Sequence, residues 1–548
     1  MLEMKNLSKK LIVIFLCGLL VCSIQACAAC TAVYVGQDVS ADGSIIIARS
    51  NDHQDVWGNH ITVIPRVENQ EGRFMPVSGD GKVKMELPST TYKYTATPYM
   101  NSTTAYNGAS HDAAACTNEY GVAMTMSVTA FPNDAALKAD PLVEEGITED
   151  TAVDLVVCQS KTAREAVEKL CGIIDKYGSS ETNIALIADQ NETWYVEMYT
   201  GHQYSAVKLP SDKASAFGNE FNLEYLSDYE DNITSKNLTK LAEEKGFAVH
   251  GKNNEINLYE TYSGIDMAFD YSHLRTWIGH HLLSPSNYSA DYSLNTMYPL
   301  CFTPDKKVSM EDVCQIYRNR YEGTEYSPDE TGRGEIRVIG TETTLSAHVL
   351  QVYPDLPAEM SCVSWVSSGP AVCGVYVPVS NDCLNVSEAY GANQPANEKE
   401  TFDTDHYPYY VFKELCDRGI GPENYKPYGK PVQAYWKEAE ANMFTGMSEV
   451  IKKAEKIEDK ETRAKYITAY CNEKQSQAFA DGQEILNDVT WIQNKNSKTL
   501  KVKLNPETHE LTGEKIEIPP MNISLNATKY KHVPEVPNGG FEFKLPFT

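Results

Sequence analysis

Three side chains near the start of the sequence have the chemistry to form and use a nucleophile. Cys30 carries a thiol, and Arg49 and Asp52 follow it three residues apart. The thiolate is the reactive form of cysteine and needs a base to form it. A guanidinium lowers the pKa of a nearby thiol, and a carboxylate can hold an amine in place. An exposed ion pair is the other interpretation of Arg49 and Asp52.

The residues before Cys30 indicate where the base comes from. Three lysines precede an apolar run over 11–24, and a small-residue stretch over 26–29 follows it. This order is typical of a secretory signal peptide, and the run is shorter than the roughly 20 apolar residues of a membrane-spanning helix. We therefore expect export. Cleavage after Ala29 would give Cys30 a free α-amine, with an ordinary pKa of about 7.7 to 8.0, that can accept the thiol proton.

Two other ways of processing this segment stay open. Cleavage after Ala28 satisfies the same small-residue rule and leaves Ala29 in front of Cys30. The stretch 24–27 is also a rough lipobox, which would attach a lipid to Cys27. The protein would then be a catalytically silent binding protein on the cell surface.

Short strands must position these residues. The stretches 31–35 and 44–48 are predicted strands of a hairpin that turns at 41–43, which brings the segment 48–52 beside Cys30. Further strands are predicted at 122–128 and 184–198, with helices at 151–160 and 163–177 between them. This pattern predicts an α+β fold, with helices layered on antiparallel sheets.

The C-terminal part has a different character. From about residue 401, apolar residues at helical spacing predict a long helical hairpin packed on the core. The tail over 501–530 alternates and contains prolines, which favours edge strands or an extended loop.

Several of these segments resemble a known family. Cys-Thr, then an Asp-Gly-Ser turn, then Ala-Arg-x-x-Asp resembles the mature start of the C69 dipeptidases. These are N-terminal-nucleophile hydrolases related to the choloylglycine and penicillin V amidases. Further segments are similar to family landmarks in the same order: 117–123, 162–177, 193–197, 216–221, 274–277, 348–352, Trp365 and 375–379.

The resemblance implies roles for five residues. Cys30 would be the nucleophile and, through its amine, the general base. Arg49 and Asp52 would polarise the thiol and orient the amine. Asn219 would donate its side-chain amide to the oxyanion, and Arg275 would be a second site arginine. Asn219 as a turn cap and Arg275 as part of a structural salt bridge are the alternatives.

Two further expectations concern the same site. The resemblance implies a second oxyanion donor from the backbone over 126–128. His348 is a candidate base that we interpret as structural, because an amine at Cys30 already fills that role.

The resemblance also implies the architecture and the activity. We expect a four-layer αββα sandwich over 30–400, a removed segment over 1–29, a helical hairpin over 401–500 and an extended segment over 501–548. The implied activity is hydrolysis of small peptides through a thioester, and an acyl or bile-acid amidase on the same scaffold is the alternative.

Composition limits the partners. The formal net charge of −27 disfavours binding to nucleic acid or to an anionic membrane. No zinc-type spacing occurs, so we expect neither a metal nor another cofactor. Three of the 14 cysteines precede Cys30, and the ones after it could form disulfides or be buried free thiols. Assembly into a homo-oligomer is left open.

Overall fold

The structure is a computed structural model. It describes residues 30–53, 58–68, 71–100, 105–106, 109–110, 112–126, 128–264, 269–293, 296–393, 402–502 and 518–536. The predicted signal segment 1–29 lies outside these residues.

The strands run through the first 380 residues. They are β1 (Ala32–Val35), β2 (Ile45–Asp52), β3 (Thr62–Ile64), β4 (Phe74–Pro76), β5 (Lys84–Glu86), β6 (Tyr94–Pro98), β7 (Ala105–Tyr106), β8 (Ala109–Ser110), β9 (Ala113–Asn118), β10 (Ala123–Met126), β11 (Asn183–Ala188), β12 (Thr193–Met198), β13 (Tyr204–Lys208), β14 (Ala214–Phe217), β15 (Asn232–Thr234), β16 (Thr344–Val352), β17 (Cys362–Ser368) and β18 (Tyr376–Ser380).

Most of these strands belong to two antiparallel sheets. The six-stranded sheet has the order β14-β1-β2-β16-β17-β18, and the eight-stranded sheet has the order β15-β13-β12-β11-β10-β9-β6-β3. The strand β1 is flanked on both sides, whereas β14 is at an edge.

The helices are more evenly spread along the chain. They are α1 (Asp134–Ala139), α2 (Glu149–Val157), α3 (Ala163–Tyr177), α4 (Leu238–Lys245), α5 (Leu258–Tyr262), α6 (Phe269–Leu283), α7 (Met310–Ile316), α8 (Pro328–Thr331), α9 (Glu388–Gly391), α10 (Pro408–Gly419), α11 (Lys430–Ala454) and α12 (Lys460–Val502).

The alternation of side chains along the strands shows that the fold has four layers, two sheets in the middle and helices on the outer face of each sheet. Successive residues of a strand point to opposite faces. In β2, Ile45 and Ile47 pack between the two sheets, whereas Ile46 and Ala48 pack with α6, α7 and α10 to α12 on the outer face. In β10, Ala123 packs between the sheets and Met124 faces α2 and α3. The predicted α+β fold with αββα layering is confirmed.

The predicted first hairpin is present. β1 and β2 pair antiparallel, with Val33 opposite Ala48. Gly43 closes the turn with a φ of 77°, in the left-handed region that favours glycine. The predicted strands near 122–128 and 184–198 correspond to β10, β11 and β12, and the predicted helix pair corresponds to α2 and α3.

The C-terminal region is helical, as expected. α11 and α12 form the long hairpin, and a π-helical turn at Tyr425–Gly429 leads into α11. Of the tail predicted over 501–530, residues 501–502 belong to α12 and 503–517 lie outside the described residues. The described part, 518–536, is extended chain with one 3-10 turn at Ala527–Lys531 and contains no strand. The domain limit predicted at 400/401 falls among residues outside the described ranges and stays a prediction.

Candidate active site

Cys30 lies at the N-terminal end of β1, in the layer between the two sheets. Two residues later, Ala32 stands opposite Phe217 of β14 and Arg49 of β2. The register with β14, continued by two residues, places Cys30 beside Asn219. The Cys30 side chain is fully buried.

The Arg49 side chain crosses this layer and connects the two sheets. Its Nη1 lies 3.1 Å from the Cys30 sulfur and 3.4 Å from Asn51 Oδ1. Its Nε donates to Thr125 Oγ1 at 2.9 Å, and its Nη2 donates to the Ala114 carbonyl at 3.0 Å. The oxygens in this set are neutral hydroxyl, amide and carbonyl groups. The sulfur is therefore the partner that can take up a full negative charge opposite the guanidinium.

Asp52 reaches the same sulfur through its backbone. Its N–H is hydrogen-bonded to the Cys30 sulfur. Its carboxylate accepts hydrogen bonds from Ser50 Oγ (2.9 Å), Thr344 Oγ1 (2.6 Å) and Arg337 Nη2 (2.8 Å). Because Asp52 is buried and its ion-pair partner is Arg337, the alternative of an exposed pair with Arg49 is wrong.

Asn219 and Arg275 form the opposite side of the site. Arg275 Nη1 donates to the Cys30 carbonyl and to Thr31 Oγ1, and its Nη2 donates to Asn219 Oδ1 at 2.7 Å. Asn219 Nδ2 donates to the Thr129 carbonyl at 2.7 Å. Arg275 therefore fixes the Asn219 amide and the Cys30 backbone relative to one another.

A glycine permits this arrangement. α6 carries Arg275 and packs closely against the end of β14. A Cβ on Gly218 would come within 2.7 Å of the Ser272 carbonyl and 3.2 Å of the Arg275 guanidinium carbon. Only glycine allows the helix to approach the strand at this point without displacement.

The electrostatics of Cys30 combine opposing effects. Burial raises the pKa of the thiol, and the Arg49 guanidinium opposes this rise. The Asp52 carboxylate and Glu149 raise the pKa further, whereas the Asp52 N–H lowers it. The net direction is upward, so the thiol needs a base to become a nucleophile at neutral pH.

A cavity of about 400 Å³ borders the site. Its wall includes Asp52, His53, Tyr271 and Arg337. Tyr271 also stacks on the Arg275 guanidinium, at 5.3 Å from the ring centre. The cavity is large enough to contain a small ligand next to Asp52.

Sequence reasoning missed Thr125, Ala114 and Arg337. Thr125 reads as an ordinary β-branched strand residue. Ala114 contributes a backbone carbonyl, which carries no side-chain signal. Arg337 lies in the loop before β16 and reaches Asp52 only through the fold.

His348 and the expected second oxyanion donor have defined positions. His348 stands opposite Arg49 on β16, and its Nε2 lies 2.7 Å from Thr125 Oγ1. Burial, together with Arg49, lowers the pKa of His348 well below its ordinary value. The Val128 N–H hydrogen-bonds the Ile184 carbonyl within the sheet, and Ser127 lies outside the described residues.

The described residues contain no cluster of three or more His, Cys, Asp or Glu side chains that could hold a metal ion. Within these ranges, no helix has the length and apolar character that crossing a bilayer requires. The eleven described cysteines are free thiols, so the disulfide alternative is not found.

The similarity of this chain to known proteins covers most of the described residues. The sequence model of Peptidase family C69 matches residues 29–438. Probable dipeptidase B of Streptococcus pyogenes serotype M1 is 31% identical over 422 residues, which are 74% of this chain and 80% of that protein. Probable dipeptidase B of Lactococcus lactis subsp. lactis (strain IL1403) is 30% identical over 391 residues, covering 67% and 78%.

Solved structures are more distant. Penicillin V acylase from Agrobacterium tumefaciens has a TM-score of 0.29 and 14% identity, covering 64% of this chain and 86% of that chain. A variant of conjugated bile acid hydrolase from Clostridium perfringens has a TM-score of 0.30 and 11% identity, covering 62% and 89%. At these TM-scores, neither structure adds to what the two sheets of this chain already show.

Proposed function

The chain belongs to peptidase family C69, and from that premise we propose that it is an exported dipeptidase whose nucleophile is the Cys30 thiol. One observation carries the assignment: Arg49 Nη1 lies 3.1 Å from the Cys30 sulfur, in a buried site that also contains Asn219 and Arg275. The relatives named as dipeptidases support the substrate class.

The proposed reaction begins with removal of residues 1–29. The free α-amine of Cys30 accepts the thiol proton, directly or through water, and the Asp52 carboxylate orients the resulting ammonium. The sulfur attacks the carbonyl carbon of the peptide bond and forms a tetrahedral intermediate. The Asn219 amide donates a hydrogen bond to its oxyanion.

Collapse of the intermediate completes the first half of the reaction. The carbon–nitrogen bond breaks, and the ammonium proton passes to the departing amine. The acyl group stays on sulfur as a thioester. Water then attacks the thioester carbonyl while the α-amine accepts a proton from it. The carbon–sulfur bond breaks, the resulting ammonium returns that proton to the sulfur, and the acid leaves while the Cys30 thiol and its free amine are regenerated. Arg49 stabilises the sulfur whenever it is negatively charged.

Export is part of the proposal. The basic, apolar and small-residue order of residues 1–29 supports a signal peptide, and cleavage after Ala29 would create the nucleophile in the same step. The mature protein would then act outside the cytoplasm on small peptides.

The test combines a mass measurement with activity. The intact mass of the protein isolated from the medium should correspond to a chain that begins at Cys30. That protein should hydrolyse dipeptides, and Cys30→Ala should abolish hydrolysis. Cys362→Ala is the matched control, since Cys362 is also a buried thiol between the sheets. A mature chain that begins at Cys27, Ala28 or Ala29, or an active Cys30→Ala variant, would contradict the proposal.

A further inference from the structure

We propose that Thr125 and His348 are positioning residues that hold the Arg49 guanidinium against the Cys30 sulfur. The proposal rests on the proposed function in one respect, that Cys30 is the nucleophile. It concerns two side chains that need not touch the substrate.

The geometry of a guanidinium explains how Thr125 acts. The group is planar, and its five N–H bonds point in fixed directions. In Arg49, Nε binds Thr125 Oγ1 at 2.9 Å and Nη2 binds the Ala114 carbonyl at 3.0 Å. Both acceptors belong to the eight-stranded sheet. With these two nitrogens fixed, the third nitrogen, Nη1, points toward the Cys30 sulfur.

The Thr125 hydroxyl has a complete set of partners. It has one hydrogen and two lone pairs. It donates to the Ala114 carbonyl at 3.1 Å and accepts from Arg49 Nε. The second lone pair faces His348 Nε2 at 2.7 Å, which assigns the hydrogen on this ring to Nε2.

The other tautomer fits less well. It would place the hydrogen on His348 Nδ1, a buried atom with no partner among the described residues. It would also turn the Thr125 hydroxyl away from the Ala114 carbonyl. Nδ1 is buried without a partner among the described residues in either form, so the hydrogen bond from Thr125 to the Ala114 carbonyl, which only the Nε2–H form keeps, decides between the two tautomers.

The charge of His348 is also determined by its surroundings. Burial and the adjacent Arg49 cation both disfavour the protonated ring. His348 therefore acts as a neutral hydrogen-bond donor, and its effect on Cys30 passes through Thr125 and Arg49.

The surroundings of these residues favour a dedicated role over simple space filling. Apolar side chains such as Ile47, Ala123 and Leu350 pack in the same layer between the sheets. A hydroxyl and an imidazole are less favourable than alkyl groups in such a layer unless they are hydrogen-bonded. Here their hydrogen bonds converge on Arg49, whose Nη1 lies 3.1 Å from the Cys30 sulfur.

The experiment measures the reactivity of Cys30 without substrate. Mature wild-type protein and variants are treated with iodoacetamide over a range of pH, and peptide mass spectrometry follows the label on Cys30. Thr125→Val should raise the pKa of the thiol and slow alkylation at pH 7 by about tenfold. Thr125→Ser keeps the hydroxyl and should stay within about twofold of wild type.

The second pair of variants tests His348 in the same way. His348→Gln keeps an N–H donor near the position of Nε2 and should react nearly as wild type does. His348→Met removes the donor and should slow alkylation. Thr117→Val is the matched control, because the Thr117 hydroxyl is also buried on this sheet but binds Thr95, at 2.7 Å.

Each outcome decides the proposal. If alkylation follows the same pH profile in folded Thr125→Val and His348→Met as in wild type, the proposal is wrong. It is also wrong if Thr117→Val slows alkylation equally. If Thr125→Val does not fold, the comparison of His348→Met with His348→Gln decides. Because the label on Cys30 is read without substrate, a failure of dipeptide hydrolysis is recognised separately.

Discussion

At the scale of single residues, the site divides its tasks between two groups of side chains. Arg49 and the Asp52 backbone contact the sulfur itself. Arg275 and Thr129 hold the Asn219 side-chain amide on the opposite side of the site. The first group should affect the free thiol, and the second should affect only the reaction.

Asn219→Ala tests this division. Turnover should fall about 100- to 1,000-fold, because an oxyanion donor acts mainly in the transition state. Alkylation of Cys30 by iodoacetamide should be nearly unchanged, because no oxyanion forms in that reaction. Parallel measurements of turnover and alkylation rate check both expectations.

The complementary variant is Arg49→Ala. It should slow alkylation as well as turnover, since the guanidinium is lost from beside the sulfur. Equal alkylation rates in wild type and Arg49→Ala would show that Arg49 is structural. A slower rate in Asn219→Ala would assign Asn219 to the nucleophile instead.

Only part of this site could be predicted from sequence. Cys30, Arg49 and Asp52 are close in sequence, and one hairpin brings them together, so local pattern was sufficient to propose them. Thr125 lies 76 residues from Arg49, and Arg337 lies 285 residues from Asp52. Their contacts depend on how two sheets stack, which hydrophobic periodicity does not specify.

At the scale of elements, α2 carries an acidic side chain into the core. Asp154 faces β9, and its Oδ2 accepts the Ala113 N–H at 3.0 Å. Burial raises the pKa of Asp154 to about 7, although hydrogen bonds from Ala113 and Tyr94 oppose the rise. The folded protein therefore retains a proton that the unfolded chain releases at lower pH.

This difference predicts how stability depends on pH. Because the pKa is raised on folding, the stability contributed by the protonated Asp154 is present at low pH and is lost as pH rises to about 7. Relative to Asp154→Asn, the wild type should lose on the order of 2 kcal/mol between pH 5 and pH 8. Urea unfolding of both proteins at pH 5 and pH 8 measures this loss in the free energy of unfolding.

The control for this prediction is an exposed carboxylate on the neighbouring helix. Glu168→Gln on α3 should leave the pH dependence of the wild type intact. A constant difference between wild type and Asp154→Asn across this pH range would show that Asp154 does not retain its proton.

The elements themselves were easier to predict than their ends. The spacing of apolar residues is local, and it correctly indicated the first hairpin, the α2–α3 pair and the C-terminal helices. The alternation over 501–530 was compatible with strands as well as with a loop. The segment 518–536 does not pair with a strand of the described sheets. Its 3-10 turn packs on α11 instead.

At the scale of the whole molecule, a buried ion pair joins the C-terminal helices to the catalytic layers. Arg318 Nη1 donates to Glu440 Oε2 of α11 at 2.9 Å, and Nη2 donates to the other carboxylate oxygen. The same guanidinium binds the carbonyls of Ala371 and Gly374, and Glu440 also accepts the Tyr376 N–H of β18. The helical region therefore shares its core with the six-stranded sheet.

Removing one partner of this pair should be strongly destabilising. Glu440→Gln leaves the Arg318 charge buried without its carboxylate, and the free energy of unfolding should fall by about 3 to 5 kcal/mol. Glu449→Gln is the control, since Glu449 pairs with Lys453 on the exposed face of α11 and should cost less than about 1 kcal/mol. Urea unfolding of both variants compares them. Equal losses would mean that the two regions are not coupled through this pair.

The guanidinium that crosses between the sheets also bears on misfolding. Side chains alternate along β2, so a slip of one residue against β1 would turn Arg49 from the layer between the sheets into the apolar layer under the helices. There it would lose Thr125, Ala114 and the sulfur, and an unpaired buried charge costs several kcal/mol. A misregistered sheet would thus be too unstable to persist as a kinetic trap. The Arg49 side chain therefore disfavours misregistered forms of the sheet that carries it.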